Sequence, residues 1–136
     1  MKGISLVSRT LAELKKRGYV VPWRVEQWNT FGTCREDKWG CIDIDCLKRI
    51  PTIRALQEGV AYPMNYLECH IQVCDFGSRK SHEKKIRASE AFKYLMQTPC
   101  VIEIWAWHKV CKLNKDGKKS KVKEWQVIIE EIKEKV

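Results

Sequence analysis

From Tyr66 to Cys74 the chain alternates with a period of two, setting Leu67, Cys69, Ile71 and Val73 against Glu68, His70, Gln72 and Cys74. That rhythm puts successive side chains on opposite faces and predicts a β-strand. A second alternation over Lys38 to Leu47 sets Cys41, Asp43 and Asp45 against Ile42, Ile44 and Cys46. Two consecutive strands therefore each carry a polar face. By default such a face is solvated, because a half-buried strand shows its apolar side to the core and the other to water.

The remaining segments arrange themselves around these two strands. Residues 4 to 17 place Leu6, Val7, Leu11 and Leu14 at helical spacing, and Gly18 stops that helix. Tyr19 to Trp28 reads as the first strand, with Pro22 marking an edge or a bend, and Phe31 to Lys38 is turn-like around Gly32. Residues 48 to 65 form a connection long for a hairpin, with a short helical turn expected over Ile53 to Glu58. Ser81 is expected to cap a helix over 82 to 97, which packs Ile86, Ala88, Ala91, Phe92, Leu95 and Met96 and ends at Thr98-Pro99. Val101 to Val110 reads as a fourth strand and Glu124 to Ile132 as a fifth, in preference to a short helix. The order α-β-β-β-α-β-β predicts an α/β (α+β) fold, a mixed central sheet flanked by helices. At 136 residues the chain holds one domain, 1–136.

Composition narrows the partners. With 26 Lys plus Arg against 17 Asp plus Glu, the formal charge is +9, which favours a polyanion, of which nucleic acid is the commonest. The seven cysteines are odd in number and follow no secretory leader, so a reduced, cytoplasmic location is expected, in a bacterial, archaeal or phage-infected host cell. Free Cys alternating with aliphatics behaves as a small buried hydrophobe. No CxxC pair is present, which argues against structural zinc. No run of 18 apolar residues predicts a membrane span. Trp105 and Trp107 share one strand face and read as core or dimer-interface packing before base-stacking platforms. His70 and His82 read as hydrogen-bonded surface side chains before general bases.

If the second and third strands pair, Asp43, Asp45, Glu68 and Gln72 converge at cross-strand distance. Hard divalent ions take such oxygen donors, with one or two carboxylates completed by water and substrate phosphate. Two neighbouring strands would then assemble the ion that phosphodiester hydrolysis uses.

The run Arg35 to Leu47 (REDKWGCIDIDCL), HIQVC at 70–74, RKSHEKKI at 79–86 and IEIWAWHK at 102–109 together resemble the PD-(D/E)XK nuclease superfamily. The resemblance is to phage and prokaryotic endonucleases related to Holliday junction resolvases. It spans about residues 5 to 130 and implies a restriction-endonuclease-like αβββαβ core in a single nuclease domain. It further implies a Mg²⁺- or Mn²⁺-dependent endodeoxyribonuclease that acts on branched DNA as a homodimer. In that pattern Asp43 binds the metal, Gln72 takes the position of the second acid, and the carbonyl of Val73 is a further ligand, with Asp45 a more ambiguous one. The motif lysine falls on Cys74, a departure that leaves activation of the attacking water to a cation from the following helix, Lys84 first and Lys80 or Lys85 after it. A supporting glutamate expected on the first helix falls near Val7 and Ser8, so Glu26 would stand in for it. Arg79, Lys80, Lys84 and Lys85, expected beside a helix N-terminus, together with Lys118 and Lys119, would hold the DNA backbone. The rivals are a non-catalytic nucleic-acid-binding module on the same fold and a Cys/His zinc regulator.

Overall fold

The structure, a computed structural model, describes residues 4–25, 27–29, 34–36, 38–50 and 65–134. Helix α1 (Leu6–Lys16) leads into strand β1 (Val20–Arg24), a small hairpin of β2 (Gln27–Asn29) and β3 (Cys34–Glu36), and then β4 (Ile44–Ile50) and β5 (Asn65–Asp75). A 3-10 turn (Phe76–Ser78), helix α2 (Arg79–Ala88) and one-turn helix α3 (Phe92–Leu95) cross over to β6 (Cys100–Leu113), which pairs with β7 (Lys119–Glu131). The main sheet has the order β1-β4-β5-β6-β7. Among the described residues only β5 and β6 pair in parallel; the other pairings are antiparallel. The fold is thus a mixed α/β arrangement around a five-stranded sheet. Glu26 and the expected turn over 53–58 lie outside the described residues. Among the described residues no helix is long and apolar enough to cross a membrane.

The central strands are buried on both faces, so the sheet separates two cores. On one side Leu14 of α1 packs with Ile44, Cys46, Cys69, Ile71, Val73, Val101, Trp105 and Trp107. On the other, Ile86 of α2 and Leu95 of α3 pack with Cys41, Ile42, Cys74, Ile102, Ile104 and Ala106. The alternation of β5 is therefore as expected, but its polar side is buried at His70, Gln72 and Cys74, while Glu68 stays in water. Trp105 and Trp107 are core residues. The Trp107 indole N–H donates to Thr10 Oγ1 at 2.8 Å, which fastens α1 to the sheet and satisfies a buried donor.

Several boundaries depart from expectation. The segment 38–47 is not one strand. Trp39 (φ 56°) and Gly40 (φ 74°) turn the chain back so that Lys38 bridges Ile42, and β4 begins only at Ile44. Glycine supplies the positive φ without steric cost, and the reversal moves Ile42 into the α2-side core while Ile44 enters the α1-side core. The expected 82–97 helix starts earlier and is broken. Asp75 Oδ1 accepts from Ser78 N–H and sets the start, which leaves Ser81 inside α2. Ser89 leaves helical geometry (ψ 139°), and its hydroxyl takes the Ala91 N–H, the local competition that disfavours serine inside helices. The first strand is cut short at Arg24, and 34–36 is a strand rather than part of a turn. Within β1 the register shifts between Val20 and Trp23, with Val21 held at φ 46°, a strained setting for a β-branched residue.

One charged group lies deep in the α1-side layer. Glu103 is 1% exposed. Its Oε2 accepts from Lys48 Nζ at 2.6 Å, and its Oε1 accepts from Tyr19 OH at 3.0 Å and Trp105 Nε1 at 3.1 Å. Burial, and then the negative charge of Glu103, push the Tyr19 phenol well above its ordinary range. Burial of Lys48 opposes its charge, but the hydrogen bond and charge of Glu103 outweigh it and raise its pKa. Both folded-state values lie above the unfolded ones, so this stabilisation is complete below about pH 10 and is lost as pH rises through the folded values. Thermal melts between pH 8 and 11 should show stability falling from about pH 10, and falling less steeply in Tyr19→Phe.

Candidate functional site

Asp43 sits where the β4–β5 ladder ends. Its backbone N–H still reaches the Ile71 carbonyl at 2.9 Å, but the chain then turns away and Val73 N–H loses a backbone partner. The Asp43 carboxylate replaces it, with Oδ2 accepting from Val73 N–H at 2.7 Å and from Gln72 Nε2 at 2.7 Å. Gln72 Nε2 also donates to the Val73 carbonyl at 3.1 Å. The three residues expected to gather, Asp43, Gln72 and Val73, are thus brought together, with Asp43 5% and Gln72 2% exposed.

The donor set can be tested against a divalent cation. Gln72 Oε1 is buried and has no hydrogen-bond partner, a cost of about 1–3 kcal/mol for an orphaned acceptor. Its amide nitrogen meanwhile lies between two oxygens. Exchanging the amide's ends, which heavy-atom geometry barely distinguishes, would aim three oxygens, from Asp43, Gln72 and Val73, at one point. That arrangement is repulsive without a cation and suitable with one. Among the described residues no group of three or more His, Cys, Asp or Glu side chains is placed to hold a metal, so amide and carbonyl oxygens would carry the coordination. These residues fit a hard ion such as Mg²⁺.

Asp45 does not join them. Its Oδ1 lies 2.7 Å from His70 Nδ1 and its Oδ2 accepts from Lys38 Nζ at 2.6 Å. Burial opposes its ionisation, yet the hydrogen bonds from His70 and Lys38, reinforced by their charge, hold the carboxyl below the usual carboxylate range. His70 is buried, contrary to the surface reading, with Trp39 edge-on to its ring and Glu68 Oε2 3.8 Å from its Nε2. Lys38, Asp45, Glu68 and His70 line a cleft of about 280 Å³ together with Val21, Trp23 and Leu47. The cleft lies on the same sheet face as Gln72, two residues along β5. Sequence reasoning missed Lys38; Gly40, a glycine interrupting an alternating run, was the signal for the reversal that delivers it.

The other expected residues fall differently. Cys74 packs in the α2-side core, and burial, with the charge of Asp75 next, pushes its thiol up to about 11. It is a neutral group where the resemblance calls for a lysine. Lys80, Lys84 and Lys85 are exposed on α2, and Lys85 lies in the last turn, away from the N-terminus where it was expected. Arg79 is engaged internally, 3.0 Å from Glu130 and with its guanidinium over the Phe76 ring. Lys118 and Lys119 are exposed at the β6–β7 turn. Val7 packs against the α1-side core.

The chain matches no protein-family model, no curated protein and no solved structure.

If the Asp43–Gln72–Val73 cluster takes a divalent ion, Mn²⁺ should raise the melting temperature. Saturation to 100 times Kd contributes about 2.7 kcal/mol, or roughly 8 °C at about 3 °C per kcal/mol for a domain of this size. Gln72→Glu should melt below the parent protein in EDTA, because two buried carboxylates then face each other, and should gain more from Mn²⁺. A melting temperature indifferent to the ion in both proteins would remove the cluster as a metal site.

Proposed function

We propose that the protein is a metal-dependent endonuclease that hydrolyses DNA phosphodiester bonds, structure-specific in the manner of Holliday junction resolvases and acting as a homodimer on branched DNA. The observation that carries this reading is the meeting of the Asp43 carboxylate, the Gln72 amide and the Val73 carbonyl within 3.1 Å at the end of the β4–β5 ladder. It is supported by the mixed sheet with a helical crossover between β5 and β6 and by the resemblance of residues 35–47, 70–74 and 102–109 to PD-(D/E)XK nucleases.

In this reading Asp43, Gln72 and Val73 hold Mg²⁺ or Mn²⁺, which when bound supplies Lewis acidity toward the phosphoryl group. Asp43 is anchored by the Val73 N–H, so its carboxylate is pre-oriented and little ordering remains to be done on binding. Lys84 and Lys80, exposed on α2, meet the DNA backbone, and Lys84 is the first candidate to replace the cation missing at Cys74. Arg79, already paired with Glu130, positions α2 against β7 rather than contacting phosphate.

A non-catalytic nucleic-acid-binding module is the second reading, and one observation favours it. The motif lysine is replaced by a buried, protonated thiol, which neither orients nor deprotonates water. The two readings part on an Asp43→Asn comparison across duplex, flap and four-way DNA with Mg²⁺ or Mn²⁺. The endonuclease reading expects cleavage by the parent protein, at least ~100-fold less by the variant, and DNA affinity unchanged within a few-fold. A parent protein that binds but never cuts selects the module, and undiminished cutting by a folded Asp43→Asn removes Asp43 from the chemistry.

A further inference from the structure

The β5–β6 pairing stops at Asp75 and Trp107, but β6 continues to Leu113 and stays paired with β7 alone. His108 still stacks on Phe76, and Trp125, opposite Lys109, still packs on the α1-side core; from Val110 onward the two strands form a projecting ribbon, about 13 Å long at 3.3 Å per residue. It is closed by a compact turn, in which Asn114 N–H donates to the Lys118 carbonyl at 2.7 Å, Asp116 accepts from Lys118 N–H, and Gly117 takes φ 82°. Ser120 Oγ donates across to the Lys112 carbonyl at 2.6 Å, so the ribbon is braced within itself. Residues 108–124 hold seven lysines against Asp116 and Glu124, and Asp116 is spent on the turn. Leu113 and Val122 near the tip are exposed to more than 60%.

Because β5 and β6 run in parallel, the ribbon leaves the sheet at the end where Gln72 and Val73 lie. We propose that this ribbon is a duplex-binding arm that enters the major groove of B-form DNA beside the Asp43–Gln72 cluster. Two strands about 4.8 Å apart with their side chains match a groove roughly 12 Å wide, which admits a two-stranded ribbon. Lysines along both strands reach the phosphates on the groove walls, and Leu113 and Val122 meet thymine methyl groups or base edges on its floor. A-form RNA has a deep, narrow major groove that excludes such an element, so the arm selects DNA duplex over RNA duplex. Measured along β6 from Ile104, which pairs with Gln72, the arm spans about 20 to 30 Å. It therefore reads flanking duplex some six to nine base pairs from the cluster. The inference deepens the proposed function but concerns binding alone.

The test is a binding titration in EDTA, with no cleavage required. The chain carrying Lys→Gln at 112, 115, 118, 119 and 121 is compared with the parent protein and with the matching Lys→Arg set, all confirmed folded by circular dichroism. The parent protein should prefer DNA duplex to RNA duplex of the same sequence. The Gln set should lose at least tenfold in DNA affinity near 0.1 M salt and lower the salt slope by about 2 to 4, since each phosphate contact contributes roughly 0.9. The Arg set should retain both. Equal binding and slope in the Gln set, or parent protein that binds anionic vesicles but no duplex, overturns the arm. Arm-dependent binding by a parent protein that never cuts DNA leaves the arm standing and removes only the nuclease reading.

Discussion

The parallel pairing of β5 with β6 is the constraint from which the rest of the molecule follows. Parallel neighbours cannot be joined by a tight turn, so the chain must leave the sheet and return, and α2 and α3 make that journey across one face. A parallel pair is stable only when both faces are covered, and α1 covers the other. The polar side chains His70, Gln72 and Glu103 are then drawn out of water. Glu103 and His70 acquire close partners as a consequence, because an unpaired buried charge would cost several kcal/mol. Gln72 is satisfied at its nitrogen and orphaned at its oxygen, which marks its surroundings as the part of the sheet where folding alone leaves a polar group without a partner.

The same pairing brings functional groups to one end. The ladder between β4 and β5 opens at Asp43, β5 ends at Asp75, α2 begins four residues later, and the β6–β7 ribbon departs beyond Trp107. The carboxylate, the exposed lysines of α2 and the basic ribbon thus share an end of the sheet although they are far apart in sequence. The opposite side of the molecule, with Tyr19, Lys48 and Glu103 locked together under α1, is a structural anchor that keeps β4, β5 and β6 in register.

Much of this was legible before any coordinates. The period of two in β5 and the apolar run of β6 agree with their tertiary setting, so local pattern and global packing point the same way. The convergence of Asp43 with Gln72 follows from strand parity once the two strands pair, although parity also pointed to Asp45, which the fold directs to His70 and Lys38 instead. What escaped was whatever depended on a reversal or a distant partner. One glycine, Gly40, folds Lys38 back onto Asp45, whose carboxylate also meets the buried His70. Two of the donors to Glu103, Tyr19 before β1 and Lys48 on β4, lie more than fifty residues away in sequence, and Arg79 is taken up by Glu130 on β7; no local window contains either fact. Ser89 breaks a continuous apolar stripe by a side-chain hydrogen bond that periodicity cannot register. The wider architecture is a mixed sheet with helices on both faces, as the order of elements implied, while the small β2–β3 hairpin fell within a stretch too short and too mixed to read.

The irregularity in β1 bears on how copies of this chain can meet. A straight border strand offers a row of amide donors and carbonyl acceptors onto which any other extended segment can zip. Here Pro22 has no amide hydrogen, Val21 is wrenched into left-handed geometry, and the register slips between Val20 and Trp23. The sheet is sealed against end-on polymerisation at that margin. A contact at that margin would run through side chains, and Trp23, 73% exposed at the rim of the cleft, presents the sort of flat apolar surface that such contacts use.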